Sequence, residues 1–200
     1  ALHVGFGGDT DDKALRRVFT LRQFDPARAR LAFDLVLHGQ GLACQWAEQA
    51  RPGDTLAMAG PRSGYAWPPG AAWLLAVVDE SALPALATIV EHTPATHPIH
   101  AVLALRQATE IAYLEALQPR HPNLRITPLP PTPDLARWLP SWPDGPGAAF
   151  IAGESQWVAR VREHLQALPG VAWAHIHASG YWSEGQHAYL HAPAAAPASP

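Results

Sequence analysis

The sequence contains one cysteine, Cys44, among its 200 residues. A single thiol excludes an internal disulfide and a metal cage built from thiolates. Because structural disulfides belong to oxidising compartments, this cysteine usage favours a cytoplasmic location. Charge is scarce as well, since Asp, Glu, Lys and Arg form 16% of the chain and the formal net charge is −3. Without an excess of cations, the chain lacks the basic surface that is typical of nucleic-acid-binding proteins.

The sequence also lacks long apolar runs and the pattern of a secretory signal. Its most apolar stretch, residues 71–78, ends at Asp79 and Glu80, well short of the about 20 residues that a transmembrane helix needs. Residues 1–10 have neither a basic start nor a long apolar centre, which argues against a signal peptide. We therefore expect no membrane partner, and we expect a monomer.

Eleven histidines are present, but their spacing is not that of a metal site. His175 and His177 alternate on one predicted strand, and His187 and His191 lie downstream. The H-E-x-x-H motif is missing, and no carboxylate stands at ligand spacing. We expect these histidines to be structural or at the surface, and we expect no metal site.

Residues 1–66 show the alternation of apolar and polar side chains that is typical of β-strands. We predict four strands and one short helix, at residues 2–6, 18–24, 30–37, 42–50 (the helix) and 55–59. Antiparallel strands interrupted by one helix indicate a small β-barrel or sandwich.

Residues 71–191 show a different pattern, in which apolar strands alternate with helices. We predict strands at residues 73–78, 99–105, 124–127, 148–152 and 171–177, and helices after Ser81, which is expected to cap the first of them, and at 108–117, 134–142 and 155–168. This alternation predicts a doubly wound parallel sheet in a second domain. Residues 192–200 contain only Ala, Pro and Ser, so we expect a disordered tail.

Two segments of the N-terminal region have the chemistry of a nucleotide site. Arg17, Phe19 and Thr20 lie on one predicted strand; a guanidinium, an aromatic ring and a hydroxyl suit the pyrophosphate and ring of a flavin nucleotide. The alternative is an amphipathic strand with a solvated arginine. Residues 38–44 lead into a helix, whose N-terminal amides bind phosphate; the alternative is a hairpin turn.

In the second region, the segment that begins at Asp79 follows the first buried strand. The carboxyl ends of the strands are where ligands bind in an open α/β sheet. Neither the G-x-G-x-x-G fingerprint nor the P-loop pattern is present, so the motif alone does not identify the ligand.

Taken together, these segments resemble one known family. The resemblance is carried by R-V-F-T at 17–20, by D-E-S-A-L-P-A at 79–85, by S-G-Y-W-S-E-G at 179–185 and by the stretches 34–62 and 152–165. The chain resembles the siderophore-interacting proteins, FAD-dependent ferric-siderophore reductases with a ferredoxin-reductase-like fold. The likeness runs over about residues 2–189.

The resemblance implies a fold and a set of cofactor-binding residues, without a dedicated catalytic residue. It implies an FAD-binding β-barrel domain at residues 1–66 and an NAD(P)H-binding α/β domain at residues 71–191. Because residues 2–6 resemble a third or fourth barrel strand, the barrel is expected to lack its first strands. The implied cofactor-binding residues are Arg17, Phe19, Thr20, Val36, Leu37, His38, Gly41, Ala43 and Cys44 for FAD, Tyr181 and Trp182 beside the flavin, and Asp79, Glu80, Ser81 and Ala82 for the nicotinamide nucleotide.

In this family, electrons pass from NAD(P)H through FAD to the iron of a ferric siderophore, and Fe(II) is released. Phe19 stands where the family has Tyr, and Cys44 stands where it has Ser. Two alternatives are a non-catalytic ligand-binding protein with a decayed flavin site and a reductase of free flavin or another acceptor. Trp182 is expected to cover the flavin ring, the alternative being a tryptophan that fills the core.

Arg106 follows the predicted second strand of the α/β domain. In doubly wound dinucleotide sites an arginine near this position accommodates the 2′-phosphate of NADPH, whereas an acid there binds the ribose of NADH. We therefore expect Arg106 to favour NADPH. The alternative is a solvated residue at a strand end.

Overall fold

A computed structural model describes residues 1–6, 11–12, 15–37, 41–61, 64–129, 143–168 and 171–185. The contacts between residues divide the described part of the chain into two compact units, residues 1–65 with Gly185, and residues 66–184. None of the described helices is long and apolar enough to cross a membrane.

The N-terminal unit consists of short antiparallel strands and one helix. The elements are β1 (Leu2–Gly5), β2 (Arg16–Phe19), β3 (Leu21–Asp25), β4 (Arg30–Phe33), α1 (Leu42–Gln49) and β5 (Ala57–Ala59). The described strands form a three-stranded sheet in the order β2-β1-β5 and a two-stranded sheet of β3 and β4. The antiparallel pairing that the alternation predicts is confirmed.

Two of the strands predicted in this unit differ most from the structure. Residues 18–24 were expected to form one strand, but Thr20 separates β2 from β3, which belong to different sheets. The apolar residues Val18, Leu21 and Phe24 recur every three positions, so one continuous strand would place them on opposite faces. The strand predicted at 30–37 stops at Phe33 because its partner β3 is only five residues long and pairs no further than Leu21.

Aromatic side chains hold the N-terminal unit together. Phe19 of β2 lies between Phe6 and Phe33, with ring centroids 6.1 and 5.2 Å away. Trp46 of α1 packs edge-on against Phe6 at 5.8 Å. These contacts join the helix to both sheets, and offset or edge-on pairs of this kind are typical of stable aromatic packing.

The second unit is a five-stranded parallel sheet with helices. Its elements are β6 (Trp73–Asp79), α2 (Leu83–His92), β7 (Ile99–Ala104), α3 (Ala112–Glu115), β8 (Leu124–Pro128), β9 (Gly147–Glu154), α4 (Ser155–Ala167) and β10 (Trp173–Trp182). The strand order is β10-β9-β6-β7-β8, and every described pair is parallel. This order confirms the predicted doubly wound sheet, with β6 at its centre.

Several boundaries in this unit differ from the prediction. Ser81 does not cap the first helix; the carboxylate of Asp79 caps a 3-10 turn, and α2 begins after that turn. The helix predicted at 108–117 is a 3-10 turn followed by the single turn of α3. The last strand continues to Trp182 because β9 gives it a partner as far as Glu154. The helical segment at 134–142 and the tail at 192–200 lie outside the described residues.

The buried core of the α/β unit is centred on β6, of which every residue is buried. Trp73 packs edge-on against Trp173 at 5.4 Å, and its indole Nε1 donates to the carbonyl oxygen of Gly145 at 3.1 Å. The neighbouring β9 begins at Gly147, where a Cβ atom would overlap the six-membered ring of Trp73. The absence of a side chain at Gly147 is therefore what lets the Trp73 ring approach β9 so closely.

Replacing Gly147 with alanine tests this packing. We expect Gly147→Ala to lower the free energy of unfolding by about 2 kcal/mol, the usual scale for overpacking a core. In a Trp73→Phe background the colliding ring atoms are gone, so the added cost of Gly147→Ala is expected to fall below about 1 kcal/mol. Urea unfolding of the four proteins measures both values. Equal costs in the two backgrounds would contradict the proposed collision.

Candidate functional site

The strand order places one edge of the α/β sheet in the position of a ligand site. The order reverses between β6 and β9, and open α/β sheets bind ligands at the carboxyl ends of the strands at such a point. At this edge β6 ends in Asp79, β9 ends in Glu154 and β10 ends in Trp182. Arg106 follows β7 and reaches the same cluster through Glu80.

Asp79 is the centre of this cluster. Its Oδ1 accepts hydrogen bonds from the Ser81 amide at 2.9 Å and the Ser81 hydroxyl at 2.5 Å. Its Oδ2 accepts from the Glu154 amide at 2.9 Å and from the Trp182 indole Nε1 at 2.8 Å. Burial raises the pKa of this carboxyl, while the four hydrogen bonds act in the opposite direction. The carboxylate thus joins the ends of three strands.

The close approach of Asp79 to β9 depends on a glycine that the sequence analysis did not identify as a site residue. Gly153 has a φ of +149°, and a Cβ atom there would collide with the Asp79 carboxylate. Only glycine tolerates this backbone conformation without strain. A glycine near the end of a buried strand, just before a helix, is a readable signal, but the sequence does not say which side chain fills the space.

Arg106 and Glu80 form a second layer around Trp182. The Arg106 Nε donates to Glu80 Oε1 at 2.8 Å, and the guanidinium carbon lies 5.3 Å from the centre of the Trp182 ring. Burial is the main cause that raises the pKa of Glu80, and Arg106 acts against it. Burial also raises the pKa of Tyr181, and the nearby charge of Asp79 adds to this shift. The indole is thereby fixed at its N–H edge and covered by a cation.

The start of α4 completes the cluster. The carboxylate of Glu154 caps this helix by accepting from the Trp157 amide at 2.7 Å, and the Ser155 hydroxyl donates to the Trp182 carbonyl oxygen at 2.8 Å. The carboxylates of Asp79, Glu80 and Glu154 are thus all engaged by groups of the protein. The most exposed charged side chain of the cluster is Arg106, at 59%, which suits this edge to an anionic ligand.

The structure gives the predicted nucleotide-facing segment a largely internal role. Asp79, Glu80 and Ala82 are buried, and only Ser81 is partly exposed. The predicted residues Arg106, Tyr181 and Trp182 do lie in the same cluster. Glu154 and Ser155 were not predicted as site residues, because a helix cap carries the same sequence signal whether or not a site lies beside it.

In the N-terminal unit, Arg17 and Phe19 lie on β2, and Thr20 follows the strand. The guanidinium of Arg17 donates to the Arg16 carbonyl oxygen at 2.8 Å, and burial lowers its pKa. A cation that is partly removed from water interacts strongly with an anionic group. The Phe19 ring packs against the rings of Phe6 and Phe33, and its contact with a flavin stays a prediction.

The second predicted segment of this unit leads into α1. Gly41 is the N-cap at a φ of 87°, and no described side chain caps the helix. Ala43 lies in the first turn of α1, and the thiol of buried Cys44 donates to the Val36 carbonyl oxygen at 3.5 Å. The uncapped amides suit a phosphate. His38 lies outside the described residues, and Leu37 is exposed.

Comparison with known proteins identifies the family. The profile described as "Siderophore-interacting protein" matches residues 71–185. The chain belongs to the siderophore-interacting protein family. A second profile, described as "Siderophore-interacting FAD-binding domain", matches residues 7–65. The two matches adjoin the boundary between the two units, on either side of it.

Relatives of this siderophore-interacting protein include characterised and uncharacterised proteins. An uncharacterised protein of Mycobacterium tuberculosis is 32% identical over 190 residues, covering 85% of this chain and 65% of its own length. The NADPH-dependent ferric-chelate reductase of Escherichia coli is 48% identical over 63 residues, which cover 32% of this chain and 25% of the reductase. The chain thus spans about two thirds of the length of the mycobacterial relative.

A solved structure supports the same fold. The siderophore utilization protein from T. fusca is 29% identical to this chain, with a TM-score of 0.71. The match covers 88% of this chain and 69% of that one. The ferredoxin-reductase-like fold expected from the sequence is confirmed.

The contact between Gly153 and Asp79 can be tested by adding one carbon atom. We expect Gly153→Ala to lower the free energy of unfolding by about 3–4 kcal/mol, because backbone strain and steric overlap add. The matched control is Gly70→Ala in the same unit, where φ is +81° but nothing lies within 4 Å of the new Cβ. That variant should lose only about 1–2 kcal/mol. Similar losses in urea unfolding would mean that the contact with Asp79 has no role.

Proposed function

We propose that this chain is a flavoprotein that takes electrons from a pyridine nucleotide and delivers them through FAD to the iron of a ferric siderophore. The observation that carries the proposal is the match of residues 7–65 to a siderophore-interacting FAD-binding domain. It is supported by the name of the Escherichia coli relative, a ferric-chelate reductase. We propose that both units take part in this reaction.

The residues of the N-terminal unit fit a dinucleotide. The partly buried guanidinium of Arg17 offers a positive charge to a pyrophosphate. The amides at the start of α1, which no described side chain caps, offer hydrogen-bond donors. Phe19 contributes by packing: it holds β2 against Phe6 and Phe33 and so fixes the strand that carries Arg17. We therefore propose residues 1–66 as the FAD-binding domain.

FAD supplies the exchange between two-electron hydride donors and one-electron acceptors such as Fe(III). For this chemistry the protein has to bind FAD and the nucleotide, orient them and exclude water from the site. We propose that residues 71–191 bind the nicotinamide nucleotide and that Tyr181 and Trp182 lie beside the flavin. A cytoplasmic location and a monomeric state remain predictions from the sequence.

Two measurements separate this function from its alternatives. We expect the purified protein to show the absorbance bands of a bound flavin, either as isolated or after addition of FAD. Such bands would exclude the alternative of a decayed flavin site. Anaerobic incubation with NADPH and a ferric siderophore should then release Fe(II), measured with a ferrous-specific chelator. Reduction of free flavin without release of Fe(II) would point to a general flavin reductase instead.

Arg17→Ala is expected to weaken FAD binding by about 1–3 kcal/mol, the scale for a charge-assisted hydrogen bond lost at a partly buried site. Quenching of flavin fluorescence measures the dissociation constant. Arg28→Ala is the control. Arg28 lies in the turn after β3, is exposed and forms an ion pair with Asp25, the last residue of that strand. If both variants bind FAD as tightly as the wild type, Arg17 does not contact the cofactor.

The electron donor is proposed to be NADPH, with Arg106 binding its 2′-phosphate. Because Glu80 holds Arg106 at 2.8 Å, the phosphate has to compete with a carboxylate. We expect Arg106→Ala to reduce the preference for NADPH over NADH by about 1–3 kcal/mol, and Glu80→Gln to increase it. The exposed Arg160 of α4 provides the control, Arg160→Ala. A wild type that uses NADH equally well, or an unchanged ratio in Arg106→Ala, would exclude this role.

A further inference from the structure

The Asp79 carboxylate has no acceptor capacity left for a ligand. A carboxylate offers about four acceptor positions. All four are used by protein donors at 2.5–2.9 Å: two from Ser81, one from the Glu154 amide and one from the Trp182 indole. Asp79 as a whole residue is 6% exposed. Whatever Asp79 contributes to the site, it contributes through its neighbours.

Of those neighbours, Trp182 is the one whose side chain presents a large, partly exposed ring that a ligand could contact. Ser81 donates to the carboxylate through its backbone amide and its short hydroxyl side chain, which connects β6 to the turn that follows it. Glu154 donates through its backbone amide, which connects β6 to β9. Trp182 meets it through the edge of a large aromatic ring that is only partly buried. The Trp182 carbonyl is held separately by the Ser155 hydroxyl. The backbone and the ring are therefore fixed by different partners.

We propose that Asp79 is a positioning residue, which fixes the Trp182 indole through its N–H and so sets the orientation of the ring at the sheet edge. The bond to a charged acceptor is stronger than a neutral one, and Gly153 provides the room that brings the carboxylate to the ring. That this orientation matters for the flavin rests on the function proposed above. That Asp79 orients the Trp182 indole does not depend on that function.

The indole proton of Trp182 reports this bond directly. In protein labelled with 15N-tryptophan and without added FAD, the signal is assigned by its loss in Trp182→Phe. We expect Asp79→Ala to increase its exchange with solvent at least about tenfold, the effect of losing roughly 1.4 kcal/mol of protection. Asp79→Asn keeps a neutral acceptor, so the signal should move upfield and exchange at an intermediate rate.

Internal controls are built into the same spectra. The indoles of Trp67 and Trp173 donate to the carbonyl oxygens of Ala71 and Leu165, so both should exchange as in the wild type. Ser81→Ala removes one donor from Oδ1 and should leave the Trp182 signal within about twofold of the wild-type rate. If Asp79→Ala does not fold, the shift in Asp79→Asn decides the question. An unchanged Trp182 signal in the Asp79 variants would overturn the proposal.

A double-mutant cycle tests the consequence for the reaction. With reconstituted FAD, Asp79→Asn should reduce the turnover of ferric-chelate reduction and leave the KM for the nucleotide within about twofold, because protein donors use all the acceptor positions of Asp79. In a Trp182→Phe background the same change should have no further effect, since the indole N–H is already gone. Additive losses would overturn the proposal. A wild type that binds no FAD would refute the proposed function, while the indole spectra would still decide the role of Asp79.

Discussion

The buried carboxylate of Asp79 joins the carboxyl ends of β6, β9 and β10, and the arrangement of the candidate site depends on it. Parallel strands share backbone hydrogen bonds along their length, but their last residues have no regular partners. At this edge one side chain supplies four acceptor positions to donors from three segments. A carboxyl group is stable in such a buried place only when it is hydrogen-bonded. A Cβ atom at position 153 would collide with this carboxyl group, so the residue there must be glycine.

Much of the α/β fold could be predicted because its signals are local. The continuous apolar run of β6 indicates a strand that is buried on both faces, and alternation with helices implies the parallel order. The N-terminal unit was harder to predict, since its strands have three to five residues and change sheets at Thr20. In short strands one or two residues decide the register, and the partner strand, rather than the local sequence, sets where β4 ends.

The composition of the site could be predicted only in part, because resemblance names residues and not their contacts. The resemblance named Asp79 and Trp182, and the position after β7 pointed to Arg106; the structure places the three residues in one cluster. Neither signal could show that Asp79 faces inward or that the Arg106 guanidinium is already paired with the Glu80 carboxylate. Such facts depend on where three separate strands end in space, and no spacing along the chain encodes them.

The single cysteine offers an independent view of the N-terminal unit. Cys44 is buried in the first turn of α1, and its thiol is directed at the Val36 carbonyl oxygen. An alkylating reagent can reach the sulfur only when the helix lifts away from that segment, so the rate of modification measures local opening. Because the chain has no second thiol, alkylation of Cys44 reports local opening in residues 1–65 without any signal from the parallel sheet.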